Sequence, residues 1–275
     1  MAIFARNPSL STIYQFPRFL KILLVDCSIV YRDQQFSVEQ KPYHRYALDL
    51  SSKWNSFVAL ALFDLDNTLI AGDSDHSWGE FLIAQNLVNS AVYKAKNDAF
   101  FAAYQAGELD IFAYHEFSLA PLIGQSPEMM KPLHNKFIKE AIMPLMLPLA
   151  TQLIDKHKLA GDRLLIITAT NSFIAKPIVK LLQIDEFLAT DLEIVDSVFT
   201  GKIVGTPTYQ TGKVERLNCW LRENNESMEG SYFYTDSIND LPLLLQVDHP
   251  IAVDPDIRLQ QIASEKNWKT ISLRH

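Results

Sequence analysis

Two carboxylates separated by one residue follow a short apolar run. Residues 57–63 are apolar throughout, and Asp64 and Asp66 come directly after them, with Thr68 two positions further on. Such a run is typical of a strand buried on both faces of a parallel sheet, so the carboxylates fall at its carboxyl end. A carboxylate there is costly to desolvate unless it is paired or metal-bound. The two acids could supply a nucleophile, a proton donor or ligands for a hard cation, although a capped turn would use the same residue types.

A second short strand also ends in acids. Residues 232–234 read Tyr-Phe-Tyr, and Asp236, Asn239 and Asp240 follow them. These residues could instead cap a helix that begins at Leu241. If both strand ends share one edge of a sheet, four carboxylates meet there: Asp64, Asp66, Asp236 and Asp240. They would repel one another unless a cation joined them, and an all-oxygen ligand set favours Mg2+.

Two further residues could bind an anion near the same edge. Thr168 ends the predicted strand 163–168, and the helix that follows offers free backbone N–H groups at its start. Lys213 opens a predicted helix over residues 212–223, where a cation is unfavourable to the helix dipole. Its position therefore indicates an anionic partner. The alternatives are an ordinary strand-end threonine and a plain surface lysine.

The elements that must position these residues alternate between strand and helix. Further strands are predicted at 251–253 and 270–273, a hairpin at 193–204 turning near 199–201, and helices at 172–182, 241–247 and 257–268. A block with helical periodicity fills residues 75–143. The pattern predicts an α/β protein with a three-layer, Rossmann-like, mostly parallel sheet and a helical cap inserted after the first strand. The predicted domains are an N-terminal extension, 1–55, partly disordered with a short helix near 16–25; a core, 56–72 and 146–275; and a cap, 73–145.

The composition of the chain limits the kinds of molecule that it is expected to bind. The formal net charge is -7 with 48% hydrophobic residues, which argues against nucleic acid or an anionic membrane surface and favours a small molecule. The two cysteines, Cys27 and Cys219, are too few for a disulfide framework and suit a reducing cytoplasm. No apolar stretch approaches the roughly 20 residues that span a bilayer. We expect a cytoplasmic monomer or homodimer.

Together the motifs resemble those of the haloacid dehalogenase-like hydrolase superfamily over residues 57–273. The first motif is matched by Asp64-Leu-Asp66-Asn-Thr68, the second by Thr168, the third by Lys213 and the fourth by Asp236-Ser-Ile-Asn-Asp240. Asn67 stands where glycine is frequent in this family, a mild change because asparagine tolerates positive φ. The resemblance implies a Mg2+-dependent phosphomonoesterase that works through an aspartyl-phosphate.

The resemblance also implies a role for each matched residue. Asp64 would attack phosphorus, and Asp66 would protonate the leaving group and then activate water. Mg2+ would be held by Asp64, Asp236 and the backbone carbonyl of Asp66. The remaining assignments are substrate and phosphate binding by Thr168, Ala169, Lys213 and Asn239, and orientation of the lysine or of metal-bound water by Asp240.

The helical insert resembles the cap of the phosphoserine-phosphatase-like branch, and residues 72–78 resemble its histidinol-phosphatase-like group. In such an enzyme Asp73, Asp75 or Glu80 could pair with a cationic amino alcohol, and Trp78 could stack on an imidazole. The residue types favour the alternatives, helix capping by Asp73 or Ser74 and core packing by Trp78. Histidinol phosphate is the first candidate substrate. Phosphoserine, transfer to an acceptor other than water, and a binding module without turnover stay open; a phosphomonoester screen, product analysis with added alcohols and a p-nitrophenyl phosphate assay would separate them.

Overall fold

A computed structural model describes residues 58–274 of the chain. The extension predicted for 1–55, its short helix and the start of the strand predicted from residue 57 lie outside the described residues. Within the described part, the first strand covers Leu60–Phe63, directly before Asp64.

One sheet of seven strands forms the centre of the fold. The strands are β1 Leu60–Phe63, β2 Arg163–Asn171, β3 Phe187–Val195, β4 Val198–Val204, β5 Tyr232–Thr235, β6 His249–Val253 and β7 Lys269–Ile271. Their order is β4-β3-β2-β1-β5-β6-β7, and every neighbouring pair is parallel except β3 and β4. The chain moves outward from β1 through β2 to β3 and later returns to the other side of β1 as β5. The strand order therefore switches beside β1, where ligands bind in open α/β sheets.

Helices cover both faces of this sheet. The helices are α1 Ser74–Ala84, α2 Ser90–Ala106, α3 Ile111–Leu119, α4 Pro127–Phe137, α5 Pro148–Ala160, α6 Ser172–Leu181, α7 Thr211–Asn224, α8 Leu241–Leu244 and α9 Ile257–Glu265. Short 3-10 or π segments occupy Ala120–Leu122, Ile138–Ile142, Met143–Leu145 and Ile238–Asp240. Alternate residues of β1 enter opposite cores: Phe63 packs with residues of α5 and α6, and Leu62 with residues of α7 and α9. The predicted three-layer α/β class is confirmed.

Four helices lie between β1 and α5, where the sequence predicts a helical insert of three or four helices. The two ends of this insert meet, since the backbone N–H of Ala71 donates to the carbonyl of Leu145 at 2.8 Å. The division into core and cap domains stays a prediction. Of the helices in residues 58–274, none has the length and apolar character needed to cross a membrane.

The predicted hairpin forms, but its turn is not at residues 199–201. The turn is made by Asp196 and Ser197, whose φ angles of 50° and 65° are those of a two-residue type I′ connection. Gly201 lies inside β4 instead, where a Cβ would come within 2.6 Å of the Ile123 side chain. The glycine thus serves close packing rather than chain reversal.

Candidate active site

The first pair of acids lies where β1 ends. The backbone N–H of Asp64 donates to the Tyr234 carbonyl at 2.9 Å, which continues the pairing of β1 with β5 by one residue. Asn67 then adopts a φ of 56°, so the chain turns back after Asp66. Both acids are buried, with 3% of Asp64 and 9% of Asp66 exposed. The positive φ at Asn67 confirms that asparagine replaces glycine there without obstruction.

Lys213 lies between two carboxylates. Its Nζ is 2.7 Å from Oδ1 of Asp64 and 2.7 Å from Oδ1 of Asp240, and all three side chains are almost fully buried. Burial alone would lower the pKa of Lys213, but the charges of Asp240 and Asp64 raise it above its ordinary value. Gly212 brings the start of α7 this close, because a Cβ there would overlap the Pro207 carbonyl. The lysine is therefore a buried cation and not a surface one.

Thr68 connects Asp64 to Asp236. Its Oγ1 lies 3.2 Å from Oδ2 of Asp64 and 3.2 Å from Oδ1 of Asp236, and it accepts the backbone N–H of Asp236 at 3.1 Å. Acids from β1 and β5 thus share one hydroxyl at the switch in strand order. Burial, followed by the charges of Asp64 and Asp240, raises the pKa of Asp236 well above its ordinary range.

The donor set at this point fits a hard divalent cation. Burial raises the pKa of Asp64 to about 7, against the opposing charge of Lys213, and the charges of Asp240 and Asp66 add to the rise. Side-chain oxygens of Asp64 and Asp236 and the backbone carbonyl of Asp66 are the ligand types that Mg2+ prefers. The predicted ligand set is thus chemically suited to that ion.

A second group of possible ligands is already neutralised. His76, Glu80 and Asp98 each bring one ligand atom within 4.8 Å of the others. Lys94 Nζ, however, lies 3.2 Å from Glu80 and 3.2 Å from Asp98. These surface residues therefore form an ion-pair network.

Asp66 is held on its other side by the start of α1 and the end of β2. The backbone N–H of Ser74 donates to its Oδ1 at 2.7 Å, and the Thr170 hydroxyl donates to its Oδ2 at 2.6 Å. Burial, followed by the charge of Asp73, raises the pKa of Asp66 to about 6. A carboxyl group with that pKa can both give and take a proton near neutral pH. The contact of Thr170 with Asp66 was not foreseen from the sequence.

A cavity opens over these acids, and both the core and the insert line it. The core contributes Asp64, Asp66, Thr168, Ala169 and Thr170 to its wall. The insert contributes Asp73, Asp75, His76, Asn97, Phe100, Phe101, Tyr104, Leu109, Ile111 and Tyr114. The structure therefore brings the first and second sequence motifs together on one cavity, and Lys213 and Asp236 directly behind it.

Two predicted cap residues face elsewhere. Trp78 is 1% exposed and packs edge-on against Phe137 and Phe173, so the core-packing alternative is confirmed and Trp78 does not reach a substrate imidazole. Glu80 pairs with Lys94 on the surface and is not part of the cavity wall. Asp73 caps α1 through the His76 N–H at 2.7 Å, as the capping alternative requires, and also faces the cavity.

Asn239 lies beside the cavity rather than in its wall. Its side-chain amide donates to the Tyr104 carbonyl at 3.0 Å and so connects the fourth motif to α2 of the insert. Thr168 does line the cavity, and its Oγ1 accepts the backbone N–H of Thr170 at 3.1 Å. Of the four predicted phosphate-binding residues, only Thr168 and Ala169 face the cavity directly.

Comparisons with known proteins agree with this geometry. The histidinol-phosphatase of Neisseria meningitidis serogroup C (strain 8013) is 44% identical over 219 residues, covering 78% of this chain and 99% of that protein. Phosphoserine phosphatase SerB1 of Mycobacterium tuberculosis (strain ATCC 25618 / H37Rv) is 29% identical over 225 residues, covering 78% and 71%.

Solved structures extend the likeness to the fold. A protein of unknown function from Bordetella pertussis Tohama I has a TM-score of 0.74 at 39% identity, covering 78% of this chain and 99% of that chain. A substrate-bound phosphoserine phosphatase has a TM-score of 0.59 at 18% identity, covering 79% and 94%, which is a likeness of fold alone. The family model for haloacid dehalogenase-like hydrolases matches residues 61–245. The chain therefore belongs to the haloacid dehalogenase-like hydrolase family.

Proposed function

We propose that this hydrolase is a Mg2+-dependent phosphomonoesterase that forms an aspartyl-phosphate on Asp64, with histidinol phosphate as its substrate. The observation that carries the proposal is the setting of Asp64. Its carboxylate reaches the cavity, while Lys213 fixes one oxygen at 2.7 Å and Thr68 contacts the other at 3.2 Å. A carboxylate held in this way presents a defined lone pair to a bound phosphate.

In the first step, an Asp64 oxygen forms a bond to phosphorus as the bond from phosphorus to the ester oxygen breaks. Asp66 gives its proton to the departing alkoxide, a role supported by its raised pKa of about 6. In the second step, Asp66 takes a proton from water, which attacks phosphorus. The bond between phosphorus and Asp64 breaks, and inorganic phosphate leaves.

The neighbouring residues supply charge and orientation. Thr168 and Ala169, which line the cavity, would bind phosphate oxygens through hydroxyl and backbone groups, and Lys213 would add its charge from behind Asp64. Asp240 orients Lys213 at 2.7 Å, and Asn239 would act at the margin of the site through its contact with the insert. Mg2+, held by Asp64, Asp236 and the Asp66 carbonyl, would reduce the repulsion between nucleophile and phosphate.

The substrate assignment is supported by the relative named histidinol-phosphatase, which this chain matches at 44% identity over 99% of that protein. It is also supported by the cavity, most of whose lining residues come from the insert. The cytoplasmic location, the monomeric or dimeric state and the absence of a nucleic-acid partner stay predictions.

A steady-state assay tests the proposal. The wild-type chain is given histidinol phosphate, phosphoserine and p-nitrophenyl phosphate, with Mg2+ and then with EDTA. We expect Mg2+-dependent release of phosphate, with the highest kcat/KM for histidinol phosphate. Asp64→Asn should abolish turnover while the circular dichroism spectrum stays unchanged. Turnover that survives in Asp64→Asn, or that EDTA leaves intact, would contradict the proposal.

A further inference from the structure

The C-terminal end of α2 is hydrogen-bonded to side chains from three separate segments of the core. The last carbonyls of a helix lack partners within the helix, so they need donors from elsewhere. Four consecutive carbonyls find such donors here: Tyr104 receives the Asn239 amide at 3.0 Å, Gln105 and Ala106 receive the Arg258 guanidinium at 3.0 Å and 2.8 Å, and Gly107 receives the Gln210 amide at 3.4 Å. The core therefore fixes the end of this helix of the insert.

The same helix forms part of the cavity wall. Phe100, Phe101 and Tyr104 of α2 line the cavity together with Asp64. Of the 17 residues of α2 only Asn97 is buried, so apolar packing holds this helix less firmly than it holds most helices. The hydrogen bonds at its C-terminal end therefore have a large effect on where Tyr104 and its neighbours lie relative to the nucleophile.

Arg258, the second residue of α9, makes two of these hydrogen bonds. A cation is favourable at the C-terminal end of a helix, where the dipole is negative. The planar guanidinium donates to two carbonyls in a fixed geometry, which a lysine cannot do. Gly107 permits the approach, because a Cβ there would come within 3.0 Å of the guanidinium. The arginine is thus matched to this helix end in both charge and shape.

Gln210 connects the same helix end to α7. Its side-chain amide lies 3.1 Å from the Tyr209 hydroxyl oxygen and 3.4 Å from the Gly107 carbonyl. Its backbone has a φ of 48° and a ψ of -119°, a combination that residues with a side chain rarely adopt and that persists where the surroundings enforce it. Gln210 is also the residue before α7, the helix that carries Lys213. A strained residue therefore lies between the insert and the lysine that pairs with Asp64.

We propose that Arg258 and Gln210, which lie outside the four motifs, are positioning residues that hold the end of α2 against the core. Through α2 they hold Phe101 and Tyr104 over the part of the cavity that receives the organic group of the ester. The inference rests on the proposed function but goes further, because it assigns two residues that touch neither phosphate nor Asp64. Their loss should weaken binding of the organic group and leave binding of phosphate unchanged.

Steady-state kinetics with histidinol phosphate test Arg258. In Arg258→Ala, KM should rise at least about fivefold while kcat stays within about twofold of wild type. Competitive inhibition by inorganic phosphate should not change, because the proposed phosphate-binding residues Thr168 and Ala169 lie on β2. Arg258→Lys keeps the charge and should recover part of the loss. Lys266→Ala removes an exposed cation from the other end of α9 and should leave KM unchanged. An unchanged KM in Arg258→Ala, or an equal rise in Lys266→Ala, would overturn the proposal.

Gln210→Gly separates positioning from a purely structural role. Glycine adopts the backbone angles of residue 210 without strain, so the Tm should not fall, but the amide that reaches Gly107 is lost. KM for histidinol phosphate should therefore rise in a chain that is as stable as wild type. A fall in Tm with an unchanged KM would show that Gln210 serves the fold alone.

Amide hydrogen exchange, followed by mass spectrometry, tests the anchoring of α2 without any substrate. Peptides from residues 90–106 should exchange at least about fivefold faster in Arg258→Ala than in wild type or Lys266→Ala, whereas peptides from β1 and β2 should not change. If α2 exchanges faster but no ester is hydrolysed, the proposed hydrolysis fails and the anchoring stands. If esters are hydrolysed and α2 exchanges at the wild-type rate in Arg258→Ala, the inference fails alone.

Discussion

Lys213→Met removes the buried cation that lies between Asp64 and Asp240. Both ion pairs measure 2.7 Å, and the three side chains are at most 4% exposed, so solvent cannot replace the lost charge. Breaking a buried pair from one side costs roughly 3–5 kcal/mol, a large part of the 5–15 kcal/mol that typically stabilises a domain. We expect the metal-free variant to lose about that much free energy of unfolding at pH 8.

The loss should depend on pH in a defined direction. The pKa of Asp64 is already raised from 3.8 to about 7 in the folded state, and removing Lys213 raises it further. The folded variant therefore binds more protons at Asp64 than its unfolded chain does. Its free energy of unfolding is highest at low pH and falls as pH rises through the folded pKa of Asp64. The penalty should consequently be smaller at pH 5.5 than at pH 8.

Urea unfolding in EDTA, followed by tryptophan fluorescence at both pH values, measures this penalty. Lys202→Met replaces an exposed lysine and serves as the matched control. Adding Asp240→Asn to Lys213→Met should restore part of the stability at pH 8, because one stranded carboxylate is removed. A Lys213→Met variant within about 1 kcal/mol of wild type at pH 8, or one whose loss does not change with pH, would refute the reasoning.

Three other outcomes are expected. Burial lowers the pKa of His115 from 6.5 to about 4, so protonation of this residue in the unfolded chain lowers the free energy of unfolding as pH falls below 6.5. His115→Leu should reduce this pH dependence by up to about 1.4 kcal/mol per pH unit, measured by denaturation at several pH values. The same pH dependence in the variant as in wild type would contradict the prediction. Asp236→Asn should abolish the rise in Tm that Mg2+ produces in the wild-type chain, and a retained rise would exclude Asp236 as a ligand. Thr170→Val removes the 2.6 Å hydrogen bond to Asp66 and should lower kcat at least about tenfold. Thr170→Ser retains the hydroxyl and should keep most of the wild-type kcat. Equal kcat values for the two variants would show that the hydrogen bond does not contribute to catalysis.

The convergence of the acids could be predicted from the sequence because it follows from strand topology. Asp64 and Asp236 each follow a short apolar strand, and parallel strands present their carboxyl ends at one edge. β1 and β5 are neighbours, so the two acids lie close enough to share the Thr68 hydroxyl. At these positions the apolar pattern of each strand and the topology of the sheet lead to the same arrangement of acids.

Other parts of the site depend on irregularities of β2 that the hydrophobic pattern of the sequence does not predict. β2 runs three residues beyond Thr168, to Asn171, and its register shifts between Ile167 and Asn171. Within this extension, Thr170 contacts Asp66 and Asn171 contacts Asp75.

The sequence also did not predict which face of α1 meets the cavity. Asp75 and Trp78 are three positions apart, yet Asp75 faces the cavity and Trp78 is buried among aromatic rings from distant segments, including Phe137 and Phe173. Only the tertiary packing of those segments decides which side of the helix meets the ligand. The hairpin turn at Asp196 and Ser197 was missed because it carries no glycine, although asparagine, aspartate and serine are common turn residues.

Trapping the covalent intermediate tests the central claim most directly. The wild-type chain is mixed with Mg2+ and a phosphomonoester radiolabelled in its phosphate, quenched in acid within one turnover, and digested. The label should be found on the peptide that contains Asp64, should be released by hydroxylamine as an acyl-phosphate is, and should be missing from Asp64→Asn. Label on a different residue, or full turnover with no labelled protein at any time, would contradict the account.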